Sequence, residues 1–154
     1  MSIIEDRLHE HGFELPPVAA PVASYIPAQR TGNLVFTSGQ LPTVDGKLLA
    51  EGKLGTDVDE VTAAKCAQQS VLNALAAIKD VIGDLDKIVK IVKVVGFVAS
   101  APTFTKQSVV VNGASDLLAL IFGESAAHAR SSIGMAVLPL DAPVEIELIV
   151  EVRD

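Results

Sequence analysis

Few side chains in this sequence have chemical reach, and most of their groupings fail as sites. There are three histidines, His9, His11 and His128, and one cysteine, Cys66. His9-Glu10-His11 has the composition of a metal pair, but the run reads as helix. Residues two apart on a helix point to nearly opposite sides and cannot converge on one ion. With His128 isolated and no cysteine cluster, no metal site is expected. Thr37-Ser38-Gly39 lacks the flanking glycine of a nucleophile elbow, and Gly52-Lys53-Leu54-Gly55 lacks the spacing of a phosphate loop. A triad of Ser38, His128 and an aspartate has no local support. No grouping is left standing, and residue type and spacing alone single out no one arginine or glutamate. Arg130 and Glu145 are considered because each lies in a longer sequence motif. Arg130 carries a guanidinium, which holds a planar carboxylate with two parallel hydrogen bonds. Glu145 is a carboxylate that can move protons if it is in reach of substrate and partly desolvated. Taken alone, Arg130 reads as a structural ion-pair residue and Glu145 as one of three solvated glutamates on a strand.

The elements that must position these residues are legible from spacing. Residues 2–11 read as a short helix with Ile4 and Leu8 on one face and Gly12 as its stop. Residues 15–21 are proline-rich and read as an extended arm. Residues 22–27 and 33–37 read as two strands around an Arg30-Thr31-Gly32-Asn33 turn, and Asp45-Gly46 is a second turn signal. Asp57-x-x-Glu60 resembles a capping box with Asp57 in the cap role. After it, Val61, Ala64, Ala67, Val71, Leu75, Ile78 and Ile82 recur at helical spacing until Gly83.

Residues 88–98 are rich in β-branched side chains and read as a long buried strand. In 107–122, Asn112-Gly113 would turn in isolation, but Val110, Ala114, Leu117, Leu118 and Ile121 keep helical spacing, so the segment reads as helix. Residues 133–138 read as a strand, and in 144–152 Val144, Ile146, Leu148, Val150 and Val152 alternate with Glu145, Glu147, Ile149 and Glu151, a strand of period two. The order of elements predicts an α+β fold with helices on one face of a mixed sheet, in a single domain spanning residues 1–154 with 1–21 as its helix and arm.

Composition narrows the partners. The chain has 154 residues, 49% of them hydrophobic but only 4% aromatic, so its core must be built from Val, Ile, Leu and Ala. So apolar a small chain is expected to hide a face in a homo-oligomer. The net charge is −7 with basic residues scattered, which offers phosphates no footprint and makes nucleic acid a poor partner. No membrane span or signal peptide is expected, since Lys90 and Lys93 interrupt the most apolar stretch and the N-terminal run is charged. The lone Cys66 reads as a small buried hydrophobe, which fits a reducing, cytoplasmic compartment.

Two longer motifs change the weight of Arg130 and Glu145. Residues 129–147 read Ala-Arg-Ser-Ser-Ile-Gly-Met-Ala-Val-Leu-Pro-Leu-Asp-Ala-Pro-Val-Glu-Ile-Glu, and residues 31–42 read Thr-Gly-Asn-Leu-Val-Phe-Thr-Ser-Gly-Gln-Leu-Pro, preceded by Tyr25. Together they closely resemble the signatures of the RidA (YjgF) family, and the order of elements agrees over most of the chain. The resemblance implies a chorismate-mutase-like α+β fold assembled as a homotrimer, with ligand clefts between subunits. It implies hydrolysis of reactive 2-imino acids to 2-oxo acids and ammonia, without a cofactor. By the same resemblance Arg130 grips the substrate carboxylate, Glu145 serves the water, Tyr25 lines the cleft, and Ser38 and Gly39 supply a backbone turn.

The departures cluster around that cleft. Ser132 stands where many family members have cysteine. Ala127-His128 replaces a common aromatic-proline pair, Ser115 replaces an aromatic residue, and 104–112 and the N-terminal arm are longer than usual. They resemble a divergent subfamily, in which Ser132 and His128 become candidates for lining an altered pocket. Three readings stay open on these grounds: an imine deaminase, a non-catalytic or regulatory trimer that binds small carboxylates, and a ribonuclease. The acidic composition weighs against the last.

Overall fold

The computed structural model describes residues 2–154 and has the order α1 (Ile3–Glu10), β1 (Ala28–Thr31), β2 (Leu34–Thr37), β3 (Thr43–Val44), β4 (Lys47–Leu48), α2 (Glu60–Ile82), β5 (Ile88–Ala99), α3 (Gln107–Phe122), β6 (Ala129–Met135) and β7 (Val144–Val152). Five strands form one sheet in the order β1-β2-β7-β5-β6, and β3 and β4 form a separate hairpin. Only β5 and β6 run parallel, joined through α3; the other pairings are antiparallel. The α+β fold with a mixed sheet and two main helices on one face is the one the pattern predicts.

Strand β7 shows why the sheet has a covered and an uncovered face. Val144, Ile146, Leu148, Val150 and Val152 are all buried, and the residues between them are only half-buried. Their partners Ile91, Val94 and Val98 in β5 are equally buried, under Val71, Leu75 and Ile78 of α2 and Val110, Leu118 and Ile121 of α3. On the other face, Phe36, Ile149, Val95, Phe97 and Ile133 follow one another across four strands with no helix over them. Phe36 is 40% exposed and Ile133 44%, so this side remains an open apolar surface.

The helices sit close because glycine lets them. A Cβ on Gly113 of α3 would lie 2.2 Å from the Ala64 carbonyl oxygen of α2, and one on Gly96 of β5 would lie 2.4 Å from a Val111 methyl of α3. By length and composition alone, residues 107–126 would suffice to cross a membrane. Half of that stretch is buried in this fold, so α3 is a core helix. Helix α1 is fastened to the same layer. Asp86 accepts the Ile3 and Ile4 amides at 2.9 and 3.0 Å, Glu5 pairs with Lys79 at 2.6 Å, and Leu8 is buried. Cys66 is fully buried on α2, and burial pushes its thiol up to about 11.

Four local readings are corrected. The first strand is β1, not 22–27, because it begins only after Pro27 and is paired to β2 through a two-residue Gly32-Asn33 turn with Gly32 at φ 57°. The cap of α2 is Asp59, whose carboxylate accepts the Thr62 amide at 2.7 Å; Asp57 instead closes a turn by accepting the Lys53 amide. The buried face of α2 therefore starts at Ala63, and Val61 is 69% exposed. Strand β6 runs from Ala129 to Met135, four residues ahead of the predicted start, because parallel pairing with β5 from Lys93 to Ala99 draws it into the sheet.

Gly113→Ala should destabilise the protein by about 1–3 kcal/mol, since the backbone of α2 cannot move aside as a side-chain tip would. Urea denaturation with unchanged stability would mean that the two helices are free to separate.

Candidate functional site

The structure divides the predicted residues into two groups. Arg130 lies on β6 opposite Val94, which pairs with Leu148, and so belongs to the helix-covered face. Glu145 lies on β7 opposite Phe97, on the uncovered face. Two strand spacings and three residues of strand separate them, about 10 Å in each direction. A single chain does not bring them together.

The first group is built on β6 and α3. Ser108, Asn112 and Ser115 recur at intervals of four and three on α3, a polar stripe on an otherwise apolar helix. Arg130 reaches this stripe. Its Nη1 donates to Asn112 Oδ1 at 2.8 Å and to Ser115 Oγ at 3.1 Å, and Nη2 donates to the Ser108 carbonyl at 3.3 Å. Nε has no acceptor among the described residues. The guanidinium is thus held along one edge, with Nε left over for a planar anion. His128 joins the same cluster and is not turned to solvent: its Nε2 lies 2.8 Å from Ser115 Oγ, and its Nδ1 meets the Ala126 carbonyl. Ser132, two residues from Arg130 on the same face, has a buried hydroxyl with no hydrogen-bond partner among the described residues.

The second group is built where β2 leaves β7. Phe36 pairs with Ile149, but Gln40 pairs with Ile146, so four residues on one side span three on the other. The extra residue makes a bulge at Ser38-Gly39. A Cβ at Gly39 would lie 2.0 Å from Glu145 Oε1, so a side chain there would push the carboxylate out of its place. The Ser38 amide donates to the Pro27 carbonyl at 2.8 Å and its hydroxyl to the Ile26 carbonyl at 2.6 Å. Of the two amides in this turn, Ser38's is therefore occupied, and Gly39's has no acceptor among the described residues. Glu145 makes no hydrogen bond there either. Desolvation, with a smaller push from the like charge of Glu147, raises its pKa above the ordinary carboxylate value.

Gly39 and Glu145 open onto a cleft of about 890 Å³, which Tyr25, the arm from Gly12 to Val22, the β3–β4 turn and Asn73 of α2 also line. Arg130 is not among its lining residues. Asn73 holds the hairpin in place by donating to the Leu41 and Thr43 carbonyls, each at 3.0 Å. His9 is occupied elsewhere, 2.7 Å from Glu14 on the exposed surface.

Sequence reasoning missed Asn112 and Ser108 as partners of Arg130 and noted Ser115 only as a departure. Their spacing on α3 was the signal that could have found them.

The fold and these two clusters define a class, and comparison with known proteins agrees. The sequence profile described as "YjgF/chorismate_mutase-like, putative endoribonuclease" matches residues 5–152, so the chain belongs to this family. The Trypanosoma cruzi protein TCP17 is 38% identical over 96% of this chain and 93% of its own. The crystal structure of Atu1372 from Agrobacterium tumefaciens, a protein of unknown function, is 46% identical with a TM-score of 0.90, covering 97% of this chain and 92% of that one. The Escherichia coli protein TdcF, crystallised with bound serine, is 26% identical with a TM-score of 0.61, covering 91% of this chain and 94% of its own.

Glu147→Gln should lower the pKa of Glu145 part of the way to its ordinary value, leaving the desolvation in place. Carbon-detected NMR titration of the Glu145 carboxyl checks this; an unchanged midpoint would remove Glu147 as a cause. The sign for stability follows. A carboxyl with a raised folded pKa opposes folding once ionised, so Glu145 lowers stability as pH rises through its titration, and Glu145→Gln should remove that loss.

Proposed function

We propose that this protein hydrolyses reactive 2-imino acids, formed from enamines such as 2-aminoacrylate, to 2-oxo acids and ammonia. The working site is a cleft between copies in a homotrimer, with Arg130 of one copy facing Gly39, Tyr25 and Glu145 of the next. The observation that carries the reading is the division of the chemistry. One surface presents a guanidinium fixed along one edge with Nε open. Another presents a half-buried carboxyl of raised pKa beside an unpaired amide. The open apolar sheet face offers the second copy its contact. The bound serine of TdcF, itself a small carboxylate, supports a ligand of this class.

The chemistry follows from these groups. Arg130 holds the substrate carboxylate, and the Gly39 amide orients the substrate or the water beside it. Ionised Glu145 takes a proton from water as its oxygen attacks the imine carbon. With the imine nitrogen entering protonated, this attack gives a neutral carbinolamine. The acid form of Glu145 then returns its proton to nitrogen, and the C–N bond breaks to release ammonia as the C=O bond forms. The hydroxyl proton passes to the Glu145 carboxylate and on to solvent. A carboxyl that both accepts and donates needs a pKa nearer neutrality than that of an exposed glutamate. Desolvation moves Glu145 in that direction.

The test generates an imino acid in situ and traps it competitively with semicarbazide. Wild-type protein should divert it to the 2-oxo acid well above the buffer rate. Arg130→Lys should lose about tenfold or more in kcat/KM, because an ammonium cannot reproduce the fork. Glu145→Gln should lose about a hundredfold in kcat with binding nearly intact. A wild-type rate equal to buffer across several imino acids would overturn the activity in favour of a carboxylate-binding protein. Light scattering should give a trimer. Co-refolding equal amounts of Arg130→Ala and Glu145→Gln chains should restore roughly a quarter of wild-type sites, whereas a site within one chain would restore none.

A further inference from the structure

We propose that His128 is a positioning residue for Arg130, acting through Ser115, and that this pair sets how tightly the protein holds its carboxylate ligand. The inference rests on the reading of Arg130 as the carboxylate anchor, and it concerns residues that the hydrolytic chemistry does not use.

The direction of the hydrogen bonds is fixed by what each group can do. The Ala126 carbonyl only accepts, so His128 Nδ1 must carry the proton that faces it. In the neutral ring Nε2 is then a lone pair, aimed at Ser115 Oγ 2.8 Å away. Ser115 has one hydrogen and gives it to Nε2. That leaves its oxygen lone pairs for Arg130, whose Nη1 donates at 3.1 Å. Every donor in the chain Arg130–Ser115–His128–Ala126 is thereby assigned, and each bond polarises the next.

His128 therefore does what Ser115 cannot do unaided. A serine hydroxyl within a helix can turn and donate to the carbonyl one turn back. That rotation would swing its lone pairs away from the guanidinium. With Nε2 as its acceptor, the hydroxyl stays turned outward and Nη1 keeps two acceptors, Asn112 and Ser115. The occupied edge decides which edge is open, so His128 fixes the angle at which Arg130 meets a planar anion. Its place in the chain suits this role. His128 follows the short helical turn that ends at Ala126 and immediately precedes β6, two residues before Arg130. Cluster and anchor thus enter the sheet together.

The test measures KM and kcat in the trapping assay and the Kd of a 2-oxo acid by calorimetry, on the full chain. His128→Leu should weaken binding and raise KM about tenfold with kcat within about twofold of wild type, the pattern of lost uniform binding. His128→Gln, which can place an amide oxygen where Nε2 stood, should recover most of the affinity. Ser115→Ala should match His128→Leu, and adding His128→Leu to Ser115→Ala should cost nothing further. NMR of Arg130 gives a readout that needs no ligand. The Nη signals should be resolved and slowly exchanging in wild type and His128→Gln, and averaged in His128→Leu. Wild-type affinity and resolved Nη signals in a folded His128→Leu would overturn the proposal. So would equal losses in the Leu and Gln variants, or additive losses in the double variant. Arg130→Ala separates the two readings: if it binds the 2-oxo acid as wild type does, the anchor itself fails, whereas loss there with none in His128→Leu removes only the positioning role.

Discussion

The arrangement depends on how closely α3 can approach its neighbours. Gly113 lets it lie against the backbone of α2, and Gly96 lets Val111 settle into β5. These contacts fix both the height of α3 above the sheet and its rotation about its own axis. The rotation matters most, since it turns Ser108, Asn112 and Ser115 toward the sheet edge where β6 carries Arg130. An apolar core contact thereby sets the geometry of a polar cluster. Side-chain volume removed at one point on the helix becomes guanidinium orientation at another.

A second constraint acts at the opposite end of the sheet. The bulge at Ser38-Gly39 ends the pairing of β2 with β7 and, among the described residues, leaves one amide without a partner beside a carboxyl that lacks one too. Regular pairing would have consumed the amide, and a side chain at position 39 would have displaced the carboxyl. The local defect in the ladder is what makes both groups available. The two constraints sit on different faces of one sheet, and the proposed site joins them through a second copy.

Much of this was legible in the sequence, for identifiable reasons. Strand β7 was readable to the residue because every second residue from Val144 to Val152 is apolar and buried, and only Ile149 departs from the polar set between them. Helix α3 was readable because its apolar spacing outweighs the Asn112-Gly113 turn signal. The first strand was misplaced because β-branched and aromatic residues at 22–26 look like a strand, whereas Pro27 and the Gly32-Asn33 turn set the pairing. Strand β6 was placed late because parallel pairing depends on a partner distant in sequence. Arg130, Glu145, Tyr25 and Gly39 were singled out as candidates through motif resemblance and not through periodicity. Their separation into two clusters was not visible, since it follows from strand alternation across a sheet whose order the sequence does not state. The role of Ser115 and His128 was hidden because two polar residues thirteen positions apart form a pair only after α3 and β6 have been laid side by side.

The burial of Cys66 has a chemical consequence of its own. With its thiol pushed up to about 11, only on the order of one molecule in ten thousand would carry a thiolate at neutral pH. That thiolate would also be enclosed by the helix layer. The chain therefore offers oxidants and soft electrophiles almost nothing to attack through sulfur at this position. Short of unfolding, its chemistry is insulated from the thiol–disulfide balance of its surroundings, and a change in that balance has no handle on α2.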